Sequence, residues 1–380
     1  MSLDYGTLRL VWWGLLGVLL TGFAIMDGFD LGVAMLHPFV ARSDGERRIT
    51  LNAIGPVWEG NQIWLVLGGG AVFAAWPLLY AASFSGFYLA MMLVLVGFII
   101  RPVALTFRSK LHSALWRTGW DYAFFVSGVL PSLVFGVAFG NLLLGAPFYF
   151  DRNLQLVYEG GLLGLLNPFS LLCGLVSIAM LVMQGASYLA VKTEGAPAER
   201  ARRFGVGAAI ALVLLFSIAG VWIALGVDGY AVRSAINMSG PSNPLLKTVA
   251  RAHGAWFANY GRQPLSLIAP VLAYLGAAAA ILALRAQAAR TALLSSSLAI
   301  AGVIATAGFS LFPFLLPSSS HPSHSLTVWD ASSSPATLKL MLFVALVFLP
   351  IVLSYTAWAF RVFRGVVKEA AVTSGDDYAY

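Results

Sequence analysis

Charge is scarce in this chain. Asp, Glu, Lys and Arg make up 10% of its 380 residues, against 59% apolar residues, whereas a soluble domain carries about 25% charged residues. That shortage excludes an ordinary soluble domain. Cysteine is almost missing: a single thiol, Cys173, excludes a disulfide within the chain and leaves no thiolate metal cluster. There is no Walker A motif, no dinucleotide fingerprint and no Cys/His metal spacing. Metal-ligating residues are therefore not assigned. A formal charge of +7 does not point to nucleic acid, because basic residues in a chain this apolar mark cytoplasmic loops.

Histidine is also rare. The five, His37, His112, His253, His321 and His324, fall near helix ends or in expected loops, and none lies in mid-membrane. A buried haem most often takes an axial His or Met. Met180 and Met183 share a helix, a spacing that reads as core packing. If the protein takes part in redox chemistry, its haems sit in another chain.

What the sequence does have is long apolar runs. Windows bounded by charged or Pro/Gly-rich breaks predict nine crossings, at about 8–40, 51–75, 78–101, 119–143, 162–189, 204–227, 264–285, 291–316 and 338–362. The class is an all-α polytopic membrane protein, in one integral-membrane domain over 1–380. The first run is not a cleaved signal peptide, because its flank is barely basic and it continues through DGFD to Phe39. With the N-terminus outside and the C-terminus cytoplasmic, 16 of the 23 Lys and Arg residues fall inside, as the positive-inside rule requires. Residues 144–161, 228–263 and 317–336 are then exterior connections. They read either as a structured lid or docking surface or as solvated linker.

The runs are interrupted by ionisable groups, each costing roughly 2.5–3.5 kcal/mol on insertion and so each a candidate site residue. Asp27 and Asp30 share one face of the first helix, about 28 Å below Leu8. Glu59, in the stretch GPVWEGNQIW, lies about 13 Å into the second run. Arg101 closes the third on the same side. Two readings stay open: a hydrated proton inlet, or a structural arrangement in which Arg101 neutralises one acid. Trp58 and Asn61 are secondary candidates for holding a cofactor near this route, although Trp58 and Trp64 also fit as interface packing. Gly68, Gly69 and Gly70 read as a close helix contact.

Long stretches resemble subunit II of cytochrome bd-type ubiquinol oxidases. They include WWGLLGVLLTGFAIMDGFDLGV, ERRITLNAIGPVWEGNQIWLVLGGG, RPVALTFRSK, LLNPFSLLCGLVS and LTVWDASSS, and the resemblance runs in order from about residue 5 to 365. It implies a nine-helix subunit of the bacterial cytoplasmic membrane, paired with a similarly folded subunit I and, in some complexes, with small single-helix subunits. The implied reaction is quinol oxidation coupled to dioxygen reduction to water, building a proton-motive force without pumping. The resemblance places two b-type haems and one d-type haem in subunit I, and admits a structural ubiquinone in this chain.

By position, Glu59 falls where the family carries an aspartate on a proposed proton route. Asp27, Asp30 and Arg101 match elements that support it. Trp329 and Asp330 match an exterior element whose role the sequence does not reveal. Two alternatives remain at this level: a purely structural scaffold of the same complex, or a proton-coupled secondary transporter. Against the transporter stands the lack of a detectable internal repeat.

Overall fold

The computed structural model describes residues 4–367. Thirteen helices account for most of it: α1 Tyr5–Val40, α2 Asp44–Ile54, α3 Trp58–Ala75, α4 Pro77–Gly86, α5 Tyr88–Phe107, α6 Ala114–Leu144, α7 Leu162–Leu165, α8 Pro168–Lys192, α9 Gly195–Gly226, α10 Ala258–Arg262, α11 Ile268–Arg285, α12 Ala289–Leu311 and α13 Pro335–Val362. Eight are long and apolar enough to cross a membrane: α1, α5, α6, α8, α9, α11, α12 and α13. At 18 residues α3 is about 27 Å long, but it opens on Glu59, Asn61 and Gln62 and is less apolar than the eight.

Local chemistry sets the helix ends. Asp4 accepts from the amide of Thr7 at the start of α1. Ser43 and Glu46 form a reciprocal capping box on α2, and Asn167 caps α8 with Pro168 in its first turn. The expected run 51–75 is two helices instead of one. It breaks at Gly55-Pro56-Val57: Pro56 has no amide to continue the ladder, and although Gly55 keeps helical dihedrals the chain leaves the helix at Val57, with φ −126°. The run 78–101 likewise breaks at Phe87 and then continues to Phe107. At the other end of the bundle, the run 291–316 stops at Leu311.

The centre is a tight packing of α1, α6 and α8. Gly32 of α1 meets Gly185 of α8 so closely that a Cβ on Gly32 would lie 2.1 Å from the Leu181 carbonyl oxygen. Glycine is needed there because the backbones themselves touch. The Gly68–Gly70 run makes no such contact within this chain: a Cβ at any of the three meets nothing within 4 Å. Helices α3 and α5 flank the centre on one side, with α9, α11 and α12 on the other, while α13 lies over α1 and α3.

The three long connections are folded. Each contributes strands to an antiparallel ribbon: β1 Phe148–Phe150 with β2 Leu156–Tyr158, β3 Asp228–Val232 with β4 Val249–His253, and β5 Phe314–Leu316 with β6 Leu326–Thr327. They interlock at one end of the bundle, where the Phe150 amide donates to His324 Nδ1 at 3.0 Å. Buried Arg9 donates to Ser332 at 2.6 Å and to the Met238 carbonyl at 2.6 Å. Residues 317–336 are thus a built element, with Ser325, Leu326 and Val328 fully buried, and the linker reading fails. Within it, Asp330 accepts from the Thr327 amide and hydroxyl at 2.9 and 2.6 Å and pairs with Lys247 at 2.9 Å. Trp329 is buried beside it. Both residues lock this cap.

Candidate functional site

Positions 27, 30 and 37 on α1 lie on one face of the helix, and that face points into the bundle. Asp27, Asp30 and His37 are all completely buried. From α5, equally buried Arg101 reaches Asp27, with Nη2 donating to Oδ1 at 2.6 Å. From the first turn of α3, Asn61 donates its amide to Asp30 Oδ2 at 2.8 Å. The Arg101 guanidinium carbon lies 5.0 Å from the Phe98 ring centre and 5.8 Å from that of Trp58, within cation–π range. Tyr188 stacks on Phe29 with ring centres 3.9 Å apart and donates to the Ala53 carbonyl at 2.9 Å, closing the cluster from α8.

Two carboxylates therefore lie in a cluster with one guanidinium. Asp27 holds the ion pair, whereas Asp30 has only an amide partner and no ion pair among the described residues. The cluster is also under-bonded. Asp27 Oδ2, Asp30 Oδ1, Asn61 Oδ1, Arg101 Nε and Nη1, and the indole nitrogen of Trp58 are buried without a protein hydrogen-bond partner. Leaving such a group unsatisfied costs about 1–3 kcal/mol, and native proteins satisfy them with ordered water. The cluster thus holds both unpaired acceptors and unpaired donors.

The structure brings Asp27, Asp30, Arg101, Asn61 and Trp58 together. Glu59 stands apart, on the exposed side of the first turn of α3. It neighbours Trp58 in sequence, but its side chain faces out of this chain while the indole faces in.

A second polar cluster lies one helical stretch further along α1, about 10 Å from Asp30. His37 Nδ1 is 2.7 Å from Thr50 Oγ1 and Nε2 is 2.8 Å from Asp121 Oδ1. Asp121 also accepts from Arg108 Nε at 2.6 Å and Arg47 Nη1 at 2.5 Å. Arg108 continues to Asp44 at 2.9 Å, which pairs in turn with Arg117 at 3.0 Å. Sequence reasoning passes over this cluster. His37 reads as a helix-end residue, and Asp121 sits near the start of an expected run. The available signal was the register of His37 with Asp27 and Asp30. Both ring nitrogens of His37 are engaged, and no group of three or more His, Cys, Asp or Glu among the described residues is arranged to hold a metal ion.

The fold and the site define a polytopic helical membrane protein with two acids and an arginine sealed inside its bundle. Residues 8–363 match the family model described as cytochrome bd terminal oxidase subunit II. The chain belongs to that family. It is 49% identical to cytochrome bd-I ubiquinol oxidase subunit 2 of Escherichia coli strain K12, over 97% of each chain. It is 31% identical to cytochrome bd ubiquinol oxidase subunit 2 of Bacillus subtilis strain 168, over 93% of this chain and 95% of that one. The fold is also that of a chain in the structure of bd oxidase from Geobacillus thermodenitrificans, with a TM-score of 0.69 and 16% identity over 94% of this chain and 98% of that one.

Proposed function

We propose that this chain is the non-haem subunit of a membrane quinol:oxygen oxidoreductase and carries protons towards a haem-bearing subunit I. The observation that carries the proposal is the sealed Asp27–Arg101–Asp30–Asn61 cluster with its unpartnered polar atoms. The names of the relatives support the reaction class. With the N-terminus outside, the His37–Asp121 cluster lies towards the cytoplasm and the Asp27–Arg101 pair deeper in the bundle. Protons enter beside His37 and Asp121. They then pass to Asp30, which has no cation of its own and so exchanges a proton without breaking the Asp27–Arg101 pair.

Glu59 takes its place at the edge of this route. An acid facing lipid costs roughly 2.5–3.5 kcal/mol, so its exposed position on α3 fits a surface covered by another protein. Helix α13, which touches α3, buries only 6% of its most apolar stretch within this chain. The face around α3 and α13 is therefore the seat of subunit I, and Glu59 hands protons across it. The haems, two b-type and one d-type, belong to that partner and supply the reduction of dioxygen. Among the histidines here, His37 is fully engaged and the other four lie outside the long apolar helices. The complex sits in the bacterial cytoplasmic membrane.

The test is oxygen consumption by the purified complex carrying Glu59→Gln or Asp30→Asn. Both variants should slow turnover while the haem absorption spectrum stays intact. Wild-type turnover in both removes the relay. The buried Asp27–Arg101 ion pair also favours a second reading, in which the cluster only holds the scaffold together; the same variants would then lose haem or subunit I.

A further inference from the structure

Helices α8 and α9 are antiparallel neighbours that touch where Gly205 meets Ala186, a Cβ on Gly205 lying 2.8 Å from the Ala186 Cβ. Beside that contact their outer surface opens into a groove of about 640 Å³. Its walls include Ile178, Ala179 and Val182 from α8, and Gly207, Ala208 and Ala211 from α9. The furrow exists because four of these six side chains are Gly or Ala. A Cβ placed on Gly207 would meet nothing within 4 Å.

The groove is apolar along its length and cationic at one end, where Arg42, Arg200 and Arg203 line it. Arg200 is partly occupied: Nε donates to the Val40 carbonyl at 2.7 Å and the guanidinium pairs with Glu46 at 2.6 Å. Arg203 pairs with Glu199 at 2.5 Å, but the two side chains are 76% and 55% exposed, so that pair is weak and open to exchange. Arg42 is exposed and in no ion pair among the described residues. Three arginines against two acids leave the mouth with a net positive charge. Arg203 and Leu215, which lies at the far end of the lining, are twelve residues apart on α9, about 18 Å. That is close to the hydrocarbon depth of one leaflet, about 15 Å, or half of the ~30 Å core.

We infer that this groove binds one anionic phospholipid from the leaflet on the side where α1 ends. Its phosphate rests on Arg42 and Arg203, and one acyl chain lies along the Gly207–Leu215 furrow. A planar guanidinium matches a phosphate in bidentate fashion, and the length of the furrow matches one acyl chain. Through Arg200, Glu46 and Val40 the lipid ties α8 and α9 to the end of α1 and the start of α2, close to the His37–Asp121 cluster.

The test uses the intact oxidase complex in phosphatidylcholine nanodiscs containing a trace of photoactivatable phosphatidylglycerol, or of its phosphatidylcholine counterpart. Cross-links are mapped by peptide mass spectrometry. At about fivefold per cation, the phosphatidylglycerol probe should label 175–182 and 207–215 at least about fivefold more than the phosphatidylcholine probe. Arg42→Gln with Arg203→Gln should abolish that preference. Gly207→Phe, whose Cβ meets nothing within 4 Å, should remove labelling by both probes there and leave labelling elsewhere on the complex unchanged. Equal labelling by the two probes, or a preference that survives the double substitution, overturns the site. Displacement of the probe by added ubiquinone overturns it in favour of a quinone.

Discussion

Replacing Arg101 by Met removes the only cation in the inner cluster. Its Nη2 lies 2.6 Å from Asp27 Oδ1, and both side chains are 0% exposed. At an effective dielectric constant of about 20 the pair attraction is about 6 kcal/mol before desolvation, and removing one partner of such a pair typically costs about 3–5 kcal/mol. Two considerations order the variants. Arg101→Met leaves two carboxylates facing each other and belongs at the upper end of that range. Asp27→Asn leaves Arg101 with Asp30 still nearby and belongs at the lower end. Combining Arg101→Met with Asp27→Leu removes both charges of the pair and should recover about 2 kcal/mol or more relative to the sum of the single effects. The assay is the half-life of the purified complex at a fixed elevated temperature, because assemblies of this size unfold irreversibly. If the pair breaks before the barrier, Arg101→Met shortens that half-life by about three to four decades. A half-life within a factor of two of wild type, or single effects that simply add in the double variant, would refute a buried and coupled ion pair.

Three further outcomes follow from the packing and the caps. Gly32→Ala forces a Cβ to within 2.1 Å of the Leu181 carbonyl oxygen and should cost more than the usual ~1–3 kcal/mol of overpacking. Gly68→Ala meets nothing within 4 Å and should be neutral or stabilising by up to ~1 kcal/mol; half-lives of the two complexes make the comparison. Asp121→Asn leaves Arg108 and Arg47 without their shared carboxylate and should cost about 3–5 kcal/mol, read as lost yield of assembled complex, while Arg117→Gln on the exposed rim should change yield little. At the start of α2, burial would raise the Glu46 carboxyl, but hydrogen bonds from Arg200 and the Arg42 and Ser43 amides outweigh it and hold it below its ordinary value of 4.5. A depressed carboxyl contributes stability that is fully present above 4.5 and is lost as pH falls through the folded value. Hydrogen-exchange protection factors at the start of α2 should accordingly fall below pH 4.5 in the wild type and lose that step in Glu46→Gln.

The inner cluster was legible because charge in an apolar run is costly wherever it occurs. Asp27, Asp30 and Arg101 stood out on that ground alone, and the structure buries all three. The helix count was nearly legible for the same reason. The outward aspect of Glu59 was not, because a residue's face on α3 depends on which helices pack against α3, and its local pattern is mixed. His37 and Asp121 escaped because His37 sits in the last turn of α1 and Asp121 near the start of the expected run 119–143, where charge is cheap and unremarked. Only the return of α6 beside α1 turns them into a buried pair. The Gly-Pro break before α3 was visible in the letters but hidden by the hydropathy window. The ribbons of 144–161, 228–263 and 317–336 rest on contacts between segments far apart in sequence, such as Arg9 with Met238 and Ser332, which no local pattern encodes. Residues 368–380, including the end of the expected cytoplasmic tail, lie outside the described residues.

Helix α13 has a consequence for supply in the cell. Of its 28 residues only Leu338 is buried. A chain synthesised ahead of its partner holds this helix by little more than its first turn and its edge against α1 and α3. Its persistence is then a matter of stoichiometry, since what binds the folded form sets its apparent stability. Excess copies of this subunit should turn over faster than copies matched by subunit I, and a pulse-chase at unequal expression of the two would read that difference directly.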